Sequence, residues 1–329
     1  MPAASVASVV VSMAVAAAVA GPTELFRLQD PALEESSGLA VSARHEGVVW
    51  THPDGGAVAE VMAVDGRGRT IATVRLRGVD PYDPEALAPG RDDNGRPALF
   101  LGDIGDNRAR RPDISVFRFP EPRRLVDQTV EATWFRFAYP DGPRDAEALL
   151  VDPRDGRIWV ATKDVFGGGL YRAPARPRTD RTNLLERVGE VPGLITDGAF
   201  LPDGGLVLRS FTTAFRYDET RRLGGQSVLP EQEQGESLAI DGDRLDRLLV
   251  GSEGMRSAVH AVPLPPPGPV VTSSPSDDGP GSAPDAAPGS PVGAQPDSGV
   301  SWPVLGLSLL AGALAAAAGA GALRARRRR

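Results

Sequence analysis

Five short segments share one pattern, an oxygen-bearing residue set directly before an apolar strand. They are Ser37-Gly38-Leu39-Ala40-Val41, Glu85-Ala86-Leu87-Ala88-Pro89, Glu147-Ala148-Leu149-Leu150-Val151, Asp197-Gly198-Ala199-Phe200-Leu201 and Glu236-Ser237-Leu238-Ala239-Ile240. Four carboxylates and a hydroxyl brought to one place could hold a hard divalent cation such as Ca2+, which takes about six to eight oxygen ligands. They could equally accept hydrogen bonds from backbone amides and tie neighbouring strands together. Four like charges at close range cannot all stay ionised without one or the other compensation. Either chemistry requires segments spaced 48, 62, 50 and 39 residues apart to converge.

The elements around these openers say how they converge. After each opener, a turn rich in Asp and Gly leads to a second strand: VVWTHPD, ALFLGDIGDN, RIWVATKD, LVLRSF and RLLVGSEG. Third and fourth alternating strands follow, as in TIATVRLRG and ATWFRFAYPD. Short period-2 strands with Gly, Pro and Asp turns argue for an all-β fold. Four strands per unit at this repeat length argue for a β-propeller. The last unit lacks a fourth strand, and TELFRLQD at residues 23 to 30 is a spare one. The sequence therefore predicts five blades, closed by the N-terminal strand. Six is the alternative if the long unit from 85 to 146 hides a further sheet.

In a propeller the first strand of each blade lines the central channel, so Ser37, Glu85, Glu147, Asp197 and Glu236 fall in one layer. The alignment places no lysine or arginine in that layer. Glu35, Asp83 and Asp145, two residues before three of the openers, are candidates for outer contacts. Second-strand ends return to the same face and put His52, Asp54, Asp103, Asp106, Asn107, Lys163, Asp164, Arg209, Ser210 and Glu253 around the channel mouth. Such a rim suits an anionic or polyhydroxy ligand.

The ends of the chain read differently. Residues 1–21 are small and apolar, and Ala18-Val19-Ala20 fits a signal-peptidase site. Residues 22–262 form the propeller, and 263–301 make a Pro/Gly/Ser/Ala-rich linker. Residues 302–323 are long and uncharged enough to cross a bilayer core of about 30 Å, and 324–329 form a basic cytoplasmic tail. The expectation is a type I single-pass protein of the plasma membrane, held there by its C-terminal transmembrane helix with the propeller outside the cell. Five of the 36 basic residues lie in the last six positions, which leaves 31 against 43 acidic residues, a net of −12 for the remainder. That excludes nucleic acid as a partner of the body. The absence of cysteine excludes disulfides and thiolate chemistry, and three scattered histidines offer no zinc spacing.

The Glu-Ala-Leu and Glu-Ser-Leu openers resemble those of secreted β-propellers of the phytase-like and calcium-activated apyrase classes. The segment LFLGDIGDNRARRPDISVFRFPEP (99–122) is similar to secreted propeller proteins of actinobacteria, some labelled WD40-like. A single lysine against 35 arginines fits a GC-rich source of that kind. Over residues 23 to 262 the resemblance implies one central Ca2+ among Ser37, Glu85, Glu147, Asp197 and Glu236. The phosphate-binding clusters of true phytases, the arginine-rich nucleotide site of apyrases and WD dipeptides are absent.

Three functions stay open. One is a surface-displayed binding or scaffolding propeller for an extracellular ligand or protein. The second is a Ca2+-dependent hydrolase of phosphoesters or phosphoanhydrides, in which Lys163 and Arg209 stabilise charge and His52 and Asp103 are further catalytic candidates. The third is a glycoside hydrolase using two of Glu85, Glu147 and Glu236, with Trp50 and Trp159 near the rim. No G-x-S-x-G motif supports serine-hydrolase chemistry.

Overall fold

The computed structural model describes residues 21–54, 58–242 and 244–268. The chain opens with β1 (Thr23–Arg27) and then builds blade one from β2 (Ser36–Val41), β3 (Val49–Pro53), β4 (Glu60–Val64) and β5 (Thr70–Leu76). Blade two begins with β6 (Pro84–Arg91), β7 (Pro97–Asp103) and β8 (Ile114–Pro120). The short β9 (Gln128–Val130) then returns to pair in parallel with β5 at the edge of blade one, before β10 (Thr133–Ala138) completes blade two. Blade three starts with β11 (Ala146–Val151), β12 (Ile158–Thr162) and β13 (Gly168–Arg172). Next, β14 (Thr182–Leu184) pairs in parallel with β10, and β15 (Glu186–Val191) finishes blade three. Blade four is β16 (Ile195–Phe200), β17 (Leu206–Ser210), β18 (Thr213–Tyr217) and β19 (Leu223–Val228). Blade five is β20 (Gln234–Ile240), β21 (Arg247–Glu253) and β22 (Ala258–Pro263), completed by β1 in the order β1-β22-β21-β20.

The ring thus has five blades and is closed by its N-terminal strand, with Thr23 opposite Ala261 and Arg27 opposite Ala258. The long second unit adds no sixth sheet, because its surplus residues supply β9 to the neighbouring blade. Neither β9 nor β14 is legible in the sequence, since three residues are too few to show an alternating pattern.

Five apolar clusters fill the five seams between adjacent blades. Trp50, Leu87 and Phe119 pack between blades one and two, Phe100, Leu149 and Tyr171 between two and three, and Leu150, Trp159 and Phe200 between three and four. Leu201, Leu238 and Val250 join four to five, and Leu39, Met62 and Val259 join five to one. Inward residues of one sheet interdigitate with the next, as packed β-sheets require.

After β22 the chain stays on the domain through Gly268. The Leu264 amide donates to the Asp246 carbonyl at 2.8 Å, and Arg216 Nη1 donates to the Pro265 carbonyl at 3.1 Å. No helix among the described residues is long and apolar enough to cross a membrane. The expected signal segment (all but its last residue), most of the linker, the span at 302–323 and the basic tail lie outside the described residues.

Candidate metal centre

Each innermost strand breaks its ladder near its first residues. The register shifts between Ser37 and Leu39, Pro84 and Ala86, Ala146 and Ala148, Ile195 and Asp197, and Gln234 and Ser237. A bulge leaves one residue unpaired and re-aims its side chain. In blades two and three the residue outside the ladder is the glutamate itself, Glu85 and Glu147, and in blade five Gly235 and Glu236 lie outside it together. In blade one it is Gly38, and in blade four Thr196, so Ser37 and Asp197 stay in register opposite His52 and Arg209. Gly38 has φ of 67°, and a Cβ there would overlap the Leu87 amide, so glycine is required.

The three bulged glutamates converge. One oxygen of each lies within 4.8 Å of the other two, and none of the three residues is more than 1% exposed. Lys163 Nζ forms an ion pair with Glu147 Oε1, which the sequence alignment did not place in this layer. Its side chain is 14% exposed, and the Phe211 ring of the next blade lies 5.0 Å from the ammonium. Gln234 Nε2 donates to Glu236 Oε1 at 2.8 Å. The Oε2 atoms of Glu147 and Glu236 are buried and have no hydrogen-bond partner. Leaving a buried carboxylate oxygen unsatisfied is costly.

Burial, and after it the charge of Glu236, pushes the Glu147 carboxyl well above the usual range, with Lys163 opposing. Burial works against the Lys163 ammonium, but Glu147, Glu236 and Glu85 outweigh it, and its pKa rises. Ionised, the trio and Lys163 together carry −2. Hard oxygen donors, a net of −2 and two orphaned carboxylate oxygens fit a divalent cation of the calcium kind.

Ser37 and Asp197 do other work. Ser37 Oγ donates to the Glu85 carbonyl at 2.9 Å, tying blade one to blade two. Asp197 accepts the Gly198 amide at 2.7 Å and the Leu238 amide at 2.6 Å, so both its oxygens are engaged. Burial pushes that carboxyl up, opposed by the two amides and by the charge of Arg209. Thr196, directly before the opener, repeats the Ser37 device by donating to the Gly235 carbonyl at 2.9 Å.

The other candidates are built into the frame. Arg209 is fully buried. It donates to the carbonyls of Ser237 (2.9 Å), Gly251 (3.0 Å), Ser210 and Phe211 (3.2 Å each), and to Gln232 Oε1 (3.0 Å). Burial lowers its pKa to about 10. His52 is buried, its Nδ1 lies 3.1 Å from the Pro53 carbonyl, and its Nε2 has no partner. Burial holds its pKa at about 4, so the ring is neutral at ordinary pH. Asp103 accepts the amides of Asp83 (2.8 Å) and Tyr82 (3.2 Å) and pairs with Arg111 at 2.9 Å. Asp106 accepts the amides of Arg110 and Arg111, and Asp145 accepts the Asp106 amide at 2.7 Å. Asp54 and Asp83 form a second buried carboxylate group with Glu85, with one oxygen of each within 4.8 Å of the others. Sequence reasoning missed Thr196, Phe211 and Gln234. Only Thr196 had a signal, as a hydroxyl beside an opener.

A cavity of about 880 Å3 lies away from this centre, between blades two and three on the opposite face, floored by Gly90, Phe100, Phe135 and Val151. No protein-family model and no curated protein matches the chain. Solved structures do resemble it. They include a glucose dehydrogenase at 11% identity, covering 74% of this chain and 100% of that one with a TM-score of 0.46. A gluconolactonase from Xanthomonas campestris matches at 15% identity, covering 75% and 96% with a TM-score of 0.44. A luciferin-regenerating enzyme matches at 14%, covering 70% and 78% with a TM-score of 0.42. Likeness at this level transfers no activity.

Proposed function

We propose that the protein is a cation-centred binding propeller in which Ca2+, held by Glu85, Glu147 and Glu236, fastens blades two, three and five. The observation that carries this reading is the pair of buried, partnerless oxygens, Glu147 Oε2 and Glu236 Oε2, beside a third carboxylate. Lys163 answers one carboxylate oxygen and leaves a net of −2. A cation there would contribute to holding the ring closed and preparing its face, with no chemical step assigned to it.

Binding is favoured over hydrolysis by the work the rim residues already do. Arg209 and Asp103 spend their polar atoms on backbone groups and Arg111, and His52 is sealed from solvent. Trp50 and Trp159 are core residues, and Trp50 Nε1 donates to Glu121 Oε1, so neither offers a sugar platform. The opener face instead presents Phe166, Met255, Tyr82 and Val165 as exposed apolar groups, the kind that anchor a partner. Display outside the cell belongs to the same proposal and rests on the terminal sequence. Protease added to intact cells should then release the propeller.

The test is calorimetric. Chelator-stripped protein should bind one Ca2+, and its melting temperature, lowered by stripping, should recover on adding the ion. Unchanged melting in chelator, with no calcium in the purified protein by elemental analysis, would overturn the cation and leave a ring tied by hydrogen bonds and Lys163.

A further inference from the structure

We infer that Lys163 sets the preference of the central site for divalent over trivalent cations. The inference rests on the reading of Glu85, Glu147 and Glu236 as ligands and concerns how that site chooses among ions. Lys163 is the only lysine in the chain. It reaches the centre from the end of β12, where its ammonium meets Glu147 Oε1, and the Phe211 ring packs 5.0 Å from it on the blade-four side. The side chain is thus held between two blades.

Its charge matters because it is the basic group in direct contact with one of the three glutamates. Arg209 lies opposite Asp197 in the ladder and, like it, is common to every variant compared, so the two drop out of the ratio. Ionised, as cation ligands must be, the three glutamates carry −3, and Lys163 brings the total to −2. Coulomb attraction scales with the ion's charge, so a fixed positive charge beside the site opposes a trivalent ion half again as strongly as a divalent one. Ion size does not separate the two cases, since lanthanides accept the same oxygen ligands at radii close to that of Ca2+. Charge is then the available discriminator, and Lys163 is the residue that adjusts it. Asp54 and Asp83, which also approach Glu85, are common to every variant compared and drop out of the ratio.

The experiment measures Ca2+ and Tb3+ affinities by competition calorimetry and Tb3+ luminescence in the full-length protein and three variants, each checked for fold by circular dichroism. Lys163→Met keeps the aliphatic stem against Phe211 but removes the charge, Lys163→Gln removes the charge and keeps a donor, and Lys163→Arg keeps the charge. Both neutral variants should bind the two ions more tightly, with the Tb3+ to Ca2+ affinity ratio raised by at least about tenfold. The ratio in Lys163→Arg should stay close to wild type. If wild type binds both ions and the ratio is the same in all four proteins, Lys163 does not set the preference and the inference is wrong. If wild type binds neither ion, the cation reading itself fails. If either neutral variant folds only when loaded, its ratio is read from refolding midpoints in each ion, and the same criterion applies.

Discussion

Blades one and four differ from blades two, three and five at what looks in the sequence like one position. In the first group Ser37 and Asp197 stay in the ladder and spend their oxygens on neighbouring strands. In the second, the break in the ladder takes in the glutamate, and its carboxylate meets two others. The same opener therefore ties strands together in two blades and joins a buried carboxylate cluster in the other three, according to where the ladder breaks. On the reading proposed above, tethers and cation ligands are divided among the blades.

That division can be broken from either side. The largest effect is expected on the tether side. Arg209→Met should cost about 3–5 kcal/mol in denaturant unfolding, because it strands several buried carbonyls at once. The low pKa of His52, the ladder partner of Ser37, gives a pH signature. Its folded value of about 4 lies below the ordinary 6.5, so the unfolded chain takes up the proton first as pH falls. Its contribution is therefore complete above about pH 6.5 and is lost as pH drops toward 4, up to about 3 kcal/mol. His52→Gln should flatten the unfolding profile in that window.

On the ligand side, Glu236→Gln should weaken Ca2+ at least about a hundredfold in titration calorimetry, close to 3 kcal/mol. It should leave the cation-free protein as stable or more so, since one of three crowded charges is gone. Asp197→Ala should show the converse, losing about 2 kcal/mol of stability while Ca2+ affinity is unchanged. Ser37→Ala is the smallest case, at about 1 kcal/mol and again with no effect on the ion. If Asp197→Ala and Glu236→Gln had the same effect on both measurements, the division between tethers and ligands would collapse.

Much of the architecture could be read from residue order. Alternation marked the strands, the repeat counted the blades, and the unmatched TELFR strand identified the closure. The openers were found because a polar residue before an apolar run is visible in one dimension. Bulge placement is not visible, because it depends on which amide pairs with which carbonyl, and Glu85 and Asp197 look alike until that is known. Lys163 was assigned to the rim because its Cα belongs there, yet its long side chain carries the ammonium back to Glu147. Arg209 reads as a surface cation by type, and only the three-dimensional arrangement gives it so many carbonyl partners.

The two parallel strands β9 and β14 have a consequence for how such a ring could be lengthened or shortened in evolution. Each is encoded within one unit but completes the edge of the preceding blade. A gene segment cut at the repeat boundaries around unit two would carry off blade one's edge strand and leave its own behind, and one cut around unit three would carry off blade two's. Blade four is self-contained in sequence, from β16 through β19. Duplication or loss of a blade is therefore least disruptive at unit four, and blades one to three are inherited as one piece.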